Sequence, residues 1–414
     1  MPGLPLVIVA HPVAKLDPDG VAEIAAGAVD EVIRISQTDP VELQAEFKAK
    51  PLPTHNRLRY HSMFEGNYNA PDAPVSFKGP DASEAINKLL YNRGWTDGLP
   101  IVPPTPERYE KMLEENGLHA DEEIGLVEPR LGMATVGKVA ANAVMAGCEP
   151  EHLPVVLAAV RAMIQEPMNL KAIQTTTHPC TVGLMVNGPI TEALDINGAY
   201  NAFGQGVMAN AVIGRAVRHV LINVGGATPG ILDRATAGTP AKYSFCFAEN
   251  EAESPWDPLH VERGFKPDQS TVTVMGCEGP HNVNDHYGIT AEEVLLTIAG
   301  VMATPGANNS YLDGEIMVAI GPEHAEIVAN GGFSKDDVKD FLIEHAIVPA
   351  WHINGPQMEL YQLRAGNKLI DGGKGGLRVV GERCNLIVAV VGGAGRHSQI
   401  IPSFGTTLSV TEAI

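Results

Sequence analysis

Apolar residues recur along this chain in two rhythms, and the alternation between them outlines strands and helices in turn. Continuous or alternating runs rich in Val and Ile over residues 4–10, 182–186, 243–248, 270–275, 315–320 and 385–391 predict strands. Helical spacing of Val21, Ile24, Ala25, Ala28, Val29 and Val32 predicts a helix after an Asp17–Gly20 turn. Further helices are predicted over 81–92, from Pro106 to Glu115, over 135–145 and 153–164, and over 208–224, the last apolar on most faces and so expected to be central. The pattern is that of an α/β fold, a mixed or parallel sheet core flanked by helices. Gly183-Leu-Met-Val-Asn-Gly-Pro189 echoes Glu315-Ile-Met-Val-Ala-Ile-Gly-Pro322, which suggests an internal duplication.

The same pattern divides the chain. Residues 1–50 hold one strand and one helix, too little apolar surface for an independent domain, and are expected to dock elsewhere, on the main body or on another chain. Residues 51–94 form a Pro-rich, aromatic-dotted arm ending in a helix, and 95–414 form the main α/β domain.

Composition narrows the function. With 414 residues, 44% of them hydrophobic, the chain can bury a large core, and a net charge of −20 argues against nucleic acid and anionic membranes as partners. No basic leader precedes the first apolar run and no stretch reaches a membrane span, so a cytoplasmic protein is expected. Five scattered cysteines without a C-x-x-C pair indicate neither a disulfide framework nor a cysteine zinc site.

Candidate chemistry gathers where strands end. The run Gly276-Cys-Glu-Gly-Pro-His-Asn-Val-Asn-Asp-His286 joins a strand to a helix whose start is marked by Thr290 and Glu293 as a capping box. It crowds Glu278, His281, Asp285 and His286 together, a His/carboxylate set suited to a divalent transition metal, Zn, Mn or Fe. The competing expectation is that Asp285 caps the following turn and one histidine merely packs. His397, in Gly392-Gly-Ala-Gly-Arg-His-Ser398, could complete the set. Arg396, Ser398 and Asn282 are expected to hold a small anionic substrate, with Lys374 either a mobile cation over it or an ordinary turn residue. That glycine run lacks the third glycine of a dinucleotide fingerprint and the Gly-Lys of a P-loop, so no nucleotide cofactor is indicated. Glu249, first after a buried strand, is a candidate general base, and His178 with Cys180 a candidate nucleophile pair. Trp95 and Asp97 either line a site or are structural, a buried Trp anchoring the arm and an Asp in an Asp-Gly turn.

Several of these stretches, together with His11-Pro12, Trp95-Thr-Asp-Gly-Leu-Pro100, Asn142-Ala-Val-Met-Ala-Gly-Cys148, Thr176-Thr-His-Pro179 and Glu249-Asn-Glu251, resemble the long C-terminal region of the UGSC-motif (seleno)protein family. His-Asn-Val-Asn-Asp-His286 and Gly-Arg-His-Ser398 carry the resemblance most specifically. The U/C-Gly-Ser-Cys motif itself is absent from this sequence. The resemblance implies that residues 1–50 are part of a split α/β domain, and it implies a partner chain carrying a redox-active Cys or selenocysteine, and an oligomer. The resulting expectation is a metal-assisted enzyme subunit acting on a small anion in thiol- or selenol-linked redox chemistry. The alternatives are a metal-dependent hydrolase or lyase, and a non-catalytic scaffold or ligand-binding subunit.

Overall fold

The computed structural model describes Val7 and residues 17–49, 82–312 and 314–414. The strand expected over 4–10 and the arm over 51–80 lie outside the described residues. The chain divides into two compact units, 1–75 and 76–414.

In the first unit, α1 (Pro18–Gln37) and α2 (Pro40–Ala49) are helices. The Asp17–Gly20 stretch is the start of α1 rather than a separate turn: the Asp17 carboxylate accepts from the Gly20 N–H, and Pro18 takes the first helical position, where its missing N–H costs nothing. No residue of α1 is buried, and Val21, Val29, Val32 and Ile33 are exposed.

The second unit opens with α3 (Ala82–Asn92) and α4 (Pro106–Glu114), then a hairpin of β1 (Glu123–Val127) and β2 (Gly132–Thr135). Its helices α5 (Val136–Ala146), α6 (Leu153–Met163) and α7 (Met208–Asn223) lie within a residue or two of the predicted spans, because their caps are local: Thr135 accepts from the Lys138 N–H, and Gly147 closes α5 in the left-handed conformation. The strands β3 (Thr181–Asn187), β4 (Cys246–Ala248), β5 (Thr271–Cys277) and β13 (Val410–Ala413) form one sheet in the order β13-β5-β3-β4. A second sheet has the order β11-β7-β12-β6, from β6 (His281–Asn284), β7 (Ile316–Ile320), β11 (Leu386–Val390) and β12 (His397–Ile401). The helices α8 (Ala291–Met302), α9 (Pro322–Asn330), α10 (Lys335–His345) and α11 (Gly355–Arg364) follow in the chain, with a small sheet of β8 (Ile347–Val348), β9 (Leu369–Ile370) and β10 (Gly376–Arg378).

Period-two alternation assigns the faces of both sheets. Met185, Phe247, Met275 and Cys277 of the first sheet share one core with Met317, Ala319, Ile387, Ala389 and Ile401 of the second, so the sheets pack face to face. The intervening residues face outward onto helices. Val182, Leu184, Val186 and Val274 pack with α5, α6 and α7, whereas Val318, Ile320, Val388 and Ile400 pack with α8, α9 and α10. The result is four layers, helix-sheet-sheet-helix, and it explains why the strands read as unbroken apolar runs.

The two sheets also repeat one plan. In each, a central strand ending in Gly-Pro (β3, β7) pairs parallel with the second strand of its half (β4, β11) and antiparallel with the third (β5, β12). The edge strands are exchanged: β6, which follows β5, completes the second sheet beside β12, and β13, which follows β12, completes the first beside β5. The chains cross at an antiparallel bridge between Cys277 and Ser403, where the Glu278 N–H donates to the Pro402 carbonyl and the Phe404 N–H to the Gly276 carbonyl.

Candidate metal and ligand site

The expected site residues separate into three groups. The first lies where β12 begins and β6 ends, at the carboxyl end of β7. His397 is opposite Asn284, and Gln399 is opposite Asn282. Alternation puts Asn282, Asn284, His397 and Gln399 on one face of the sheet, and all but the half-buried Gln399 are exposed. His286 reaches the same place from the loop after β6: its Nε2 lies 3.3 Å from Nε2 of His397. The Nδ1 of His397 lies 3.0 Å from Oδ1 of Asn282, an oxygen that can only accept, so this nitrogen carries the proton and Nε2 of the neutral ring is a bare lone pair. Asn282 is therefore the group placed to orient His397, where the sequence suggested a substrate ligand. Gln399, whose Nε2 also donates to Oδ1 of Asn282, was not anticipated; only the alternation of a strand starting at His397 could have revealed it.

Asp285 and Arg396 build this corner rather than work in it. Burial pushes the Asp285 carboxyl up, but the Thr297 hydroxyl at 2.6 Å and the Gly288 and Tyr287 N–H groups outweigh it and hold the pKa below the usual range. With those donors in place Asp285 caps the turn, the second of the two expectations, and both of its oxygens are occupied. Arg396 donates from one terminal nitrogen to the His286 and Gly288 carbonyls, at 3.1 and 3.0 Å, and its Nε lies 3.7 Å from Glu323. It clamps the 285–288 loop, at the position where an anion cradle was expected. Ser398 points to the other face and is buried. His324 Nε2 faces the Asp285 carbonyl at 2.9 Å and so carries the proton, which leaves Nδ1 to accept from the Ser398 hydroxyl at 2.8 Å, while the Gly321 N–H donates to the same Ser398 oxygen. Burial lowers the pKa of His324 and keeps it neutral. A Cβ on Gly321 would run into the His397 carbonyl, so glycine is required where α9 approaches β12.

The second group lies at the carboxyl ends of β3 and β4. Glu249 is buried; one oxygen accepts from Asn187 (2.7 Å) and the Leu259 N–H (2.8 Å), the other has no hydrogen bond, and the Lys335 amine is 3.9 Å away. Burial pushes its carboxyl up in spite of Lys335. Nearby His260 is wholly buried, with neither ring nitrogen hydrogen-bonded. Glu249 has a shifted carboxyl, but no surface from which to act as a base on a substrate.

The third group lies at the opposite end of the first sheet. His178 Nε2 pairs with Glu278 at 2.7 Å, and its ring meets Phe404 edge-on. Cys180, two residues on, is buried with its thiol directed to the Ile173 carbonyl, and burial pushes its pKa up to about 12. Cys148, Cys246 and Cys277 are likewise buried thiols with raised pKa values. A thiol in that state is not a nucleophile, so the His178–Cys180 pairing is replaced by His178–Glu278. His281 sits on β6 on the face opposite Asn282, exposed. Lys374 is exposed in the small sheet beyond β9 and has no part in any of the three groups. Asp97 belongs with the anchoring alternative: Arg215 grips both its oxygens, at 2.7 and 2.9 Å, tying residues 95–100 to α7.

What fold and site define is a four-layer α/β protein with an exposed histidine pair at the carboxyl end of one sheet. Among the described residues no group of three or more His, Cys, Asp or Glu lies where it could share a metal ion, and no helix is long and apolar enough to cross a membrane. Compared with known protein families and with curated proteins, the chain matches none.

Proposed function

We propose that this chain is a metal-assisted enzyme subunit whose divalent ion lies between Nε2 of His286 and Nε2 of His397, leaving open positions for a small anionic substrate. The observation that carries the reading is the 3.3 Å between those nitrogens. Two imidazoles bound to one tetrahedral zinc at 2.0–2.1 Å stand about 3.3–3.4 Å apart, so the rings already hold the separation an ion requires. The Asn282 hydrogen bond supports it further, since it fixes the tautomer that frees Nε2, as outer partners of metal-bound histidines do. Imidazole suits zinc and iron, and a bound ion would polarise a substrate oxygen or lower the pKa of a coordinated water. With Arg396 engaged in the loop, the ion itself is the cation available to an anionic substrate.

The hydrolase or lyase alternative asks no redox group of this chain. The redox version implied by the UGSC resemblance needs a thiol or selenol from a partner, because four of the five cysteines here are buried and the pKa of the exposed Cys384 is raised by partial burial and Glu382. The test is titration of chelator-treated protein with Co²⁺ or Zn²⁺. Near-stoichiometric binding, with a visible Co²⁺ spectrum lost in His286→Ala and His397→Ala, supports the reading. A folded protein that binds neither ion would mean that the two rings simply hydrogen-bond one another and that the chain is a scaffold.

A further inference from the structure

An ion held by two imidazoles keeps at least two positions open, and the groups around it decide what fills them. Here those groups are amides. His397 faces Asn284 across the strand pair and Gln399 faces Asn282, with all four side chains on one face of the sheet. Side chains so opposed start about 4.5–5.5 Å apart, so the exposed Asn284 stands beside the ion position. The Asn282 oxygen is taken, by His397 Nδ1 and by Gln399 Nε2. Among the described residues, Nδ2 of Asn282, Oε1 of Gln399 and both polar atoms of the Asn284 side chain have no hydrogen-bond partner in the chain. The charged side chains that build the corner are already engaged, Arg396 by the His286 and Gly288 carbonyls and Glu323, and Asp285 by Thr297, Tyr287 and Gly288. The floor beside the ion is therefore rich in free donors and acceptors and neutral.

We infer that the substrate is a carboxylate oxygenated on the neighbouring carbon, a 2-hydroxy acid before a 2-oxo acid. It chelates the ion through one carboxylate oxygen and the 2-oxygen, and the amide N–H groups of Asn282 and Asn284 receive its second carboxylate oxygen. The inference rests on the metal reading above and names the substrate class of that site. Two oxygens of one small molecule fill the two positions that two histidines leave open. A neutral floor suits a single carboxylate, because the ion takes up its charge. A phosphate dianion would call for a free Arg or Lys, and the ammonium of an amino acid for a free carboxylate; the corner offers neither. Gln399 separates the two remaining candidates. Its free Oε1 is an acceptor, which a hydroxyl can donate to and a keto oxygen cannot.

The experiment is titration of the Co²⁺-loaded protein with lactate, pyruvate, propionate, alanine and inorganic phosphate, read by the visible Co²⁺ bands. Lactate is expected to bind at least about 10-fold more tightly than propionate, which lacks the second oxygen, with pyruvate between them and alanine and phosphate weaker than lactate. Asn284→Ala should weaken lactate binding by about 10-fold or more, the loss of one hydrogen bond to a charged group. Its Co²⁺ affinity and melting temperature should not move, since Asn284 is exposed and bonded to neither histidine. Propionate bound as tightly as lactate would overturn the inference and leave the metal reading standing. So would phosphate or alanine bound more tightly than lactate, or a folded Asn284→Ala with wild-type lactate affinity. Wild-type protein that binds no cobalt would overturn both.

Discussion

Single side chains decide whether the histidine corner is a site. Asn282→Ala removes the acceptor that fixes the His397 tautomer, and we expect about 10- to 100-fold weaker Co²⁺ binding with an unchanged melting temperature, since Asn282 is exposed. A variant that binds normally would show that the tautomer is set by the ion alone. Beneath the corner, His324 is held neutral by burial, and its pKa in the folded protein lies below that of the unfolded chain, about 6.5. A depressed folded value means stability that is present above the unfolded pKa and is lost as pH falls from there through the folded pKa. Urea midpoints should therefore drop on going from pH 7 to the region below 6, and His324→Asn should flatten that slope while lowering stability at pH 7. These roles were only partly legible in the chain. That His286 and His397 would meet could be guessed from residue type and position, but the structural parts of Asp285 and Arg396 could not be singled out, because what decides them is the Thr297 hydroxyl and the His286 and Gly288 carbonyls, set by the closure of one loop.

At the scale of elements, the loop over 285–288 is held from both sides, by the Asp285 cap and by the Arg396 clamp. Arg396→Gln removes two charge-assisted hydrogen bonds to carbonyls and should cost about 1.5–3 kcal/mol of stability. Metal affinity should fall with it, because His286 rides on that loop; calorimetry and Co²⁺ titration on one sample separate the two effects. The segment leading into the body depends on a different pair. Asp97→Ala leaves the Arg215 guanidinium facing an empty carboxylate position and should destabilise the fold by about 3–5 kcal/mol, measured by denaturant titration, whereas breaking an exposed pair such as Arg383 with Asp336 and Asp340 should leave the midpoint nearly unmoved. Elements were the most legible level. Helices with local caps, such as α5 after Thr135 and α8 after Thr290, fall within a residue or two of expectation. The strands β6, β12 and β13 were not foreseen, since four or five residues with polar faces carry too little period to be distinguished from loops.

For the whole molecule, the α/β class and the flanking helices follow from the alternation of periods, and the Gly-Pro echo marks the two central strands of the repeated plan. Face-to-face packing of two sheets was not readable, because strands buried on both faces look the same whether a helix or a second sheet covers them. The exchange of β6 and β13 between the halves sets a condition on how this protein can be made. Neither half owns the strand that finishes its sheet, so a ribosome that has released residues up to about 300 has produced a layer whose edge at β5, among the described residues, stays open until β13 emerges. Expressed separately, residues 76–306 and 307–414 should each be aggregation-prone; co-expressed, they should assemble into a soluble complex, and removal of 409–414 should leave the first fragment insoluble even then. A substitution that keeps β13 from its place beside β5 is thus the change this fold tolerates least, and a cut between β12 and β13 should take down the sheet that was synthesised first.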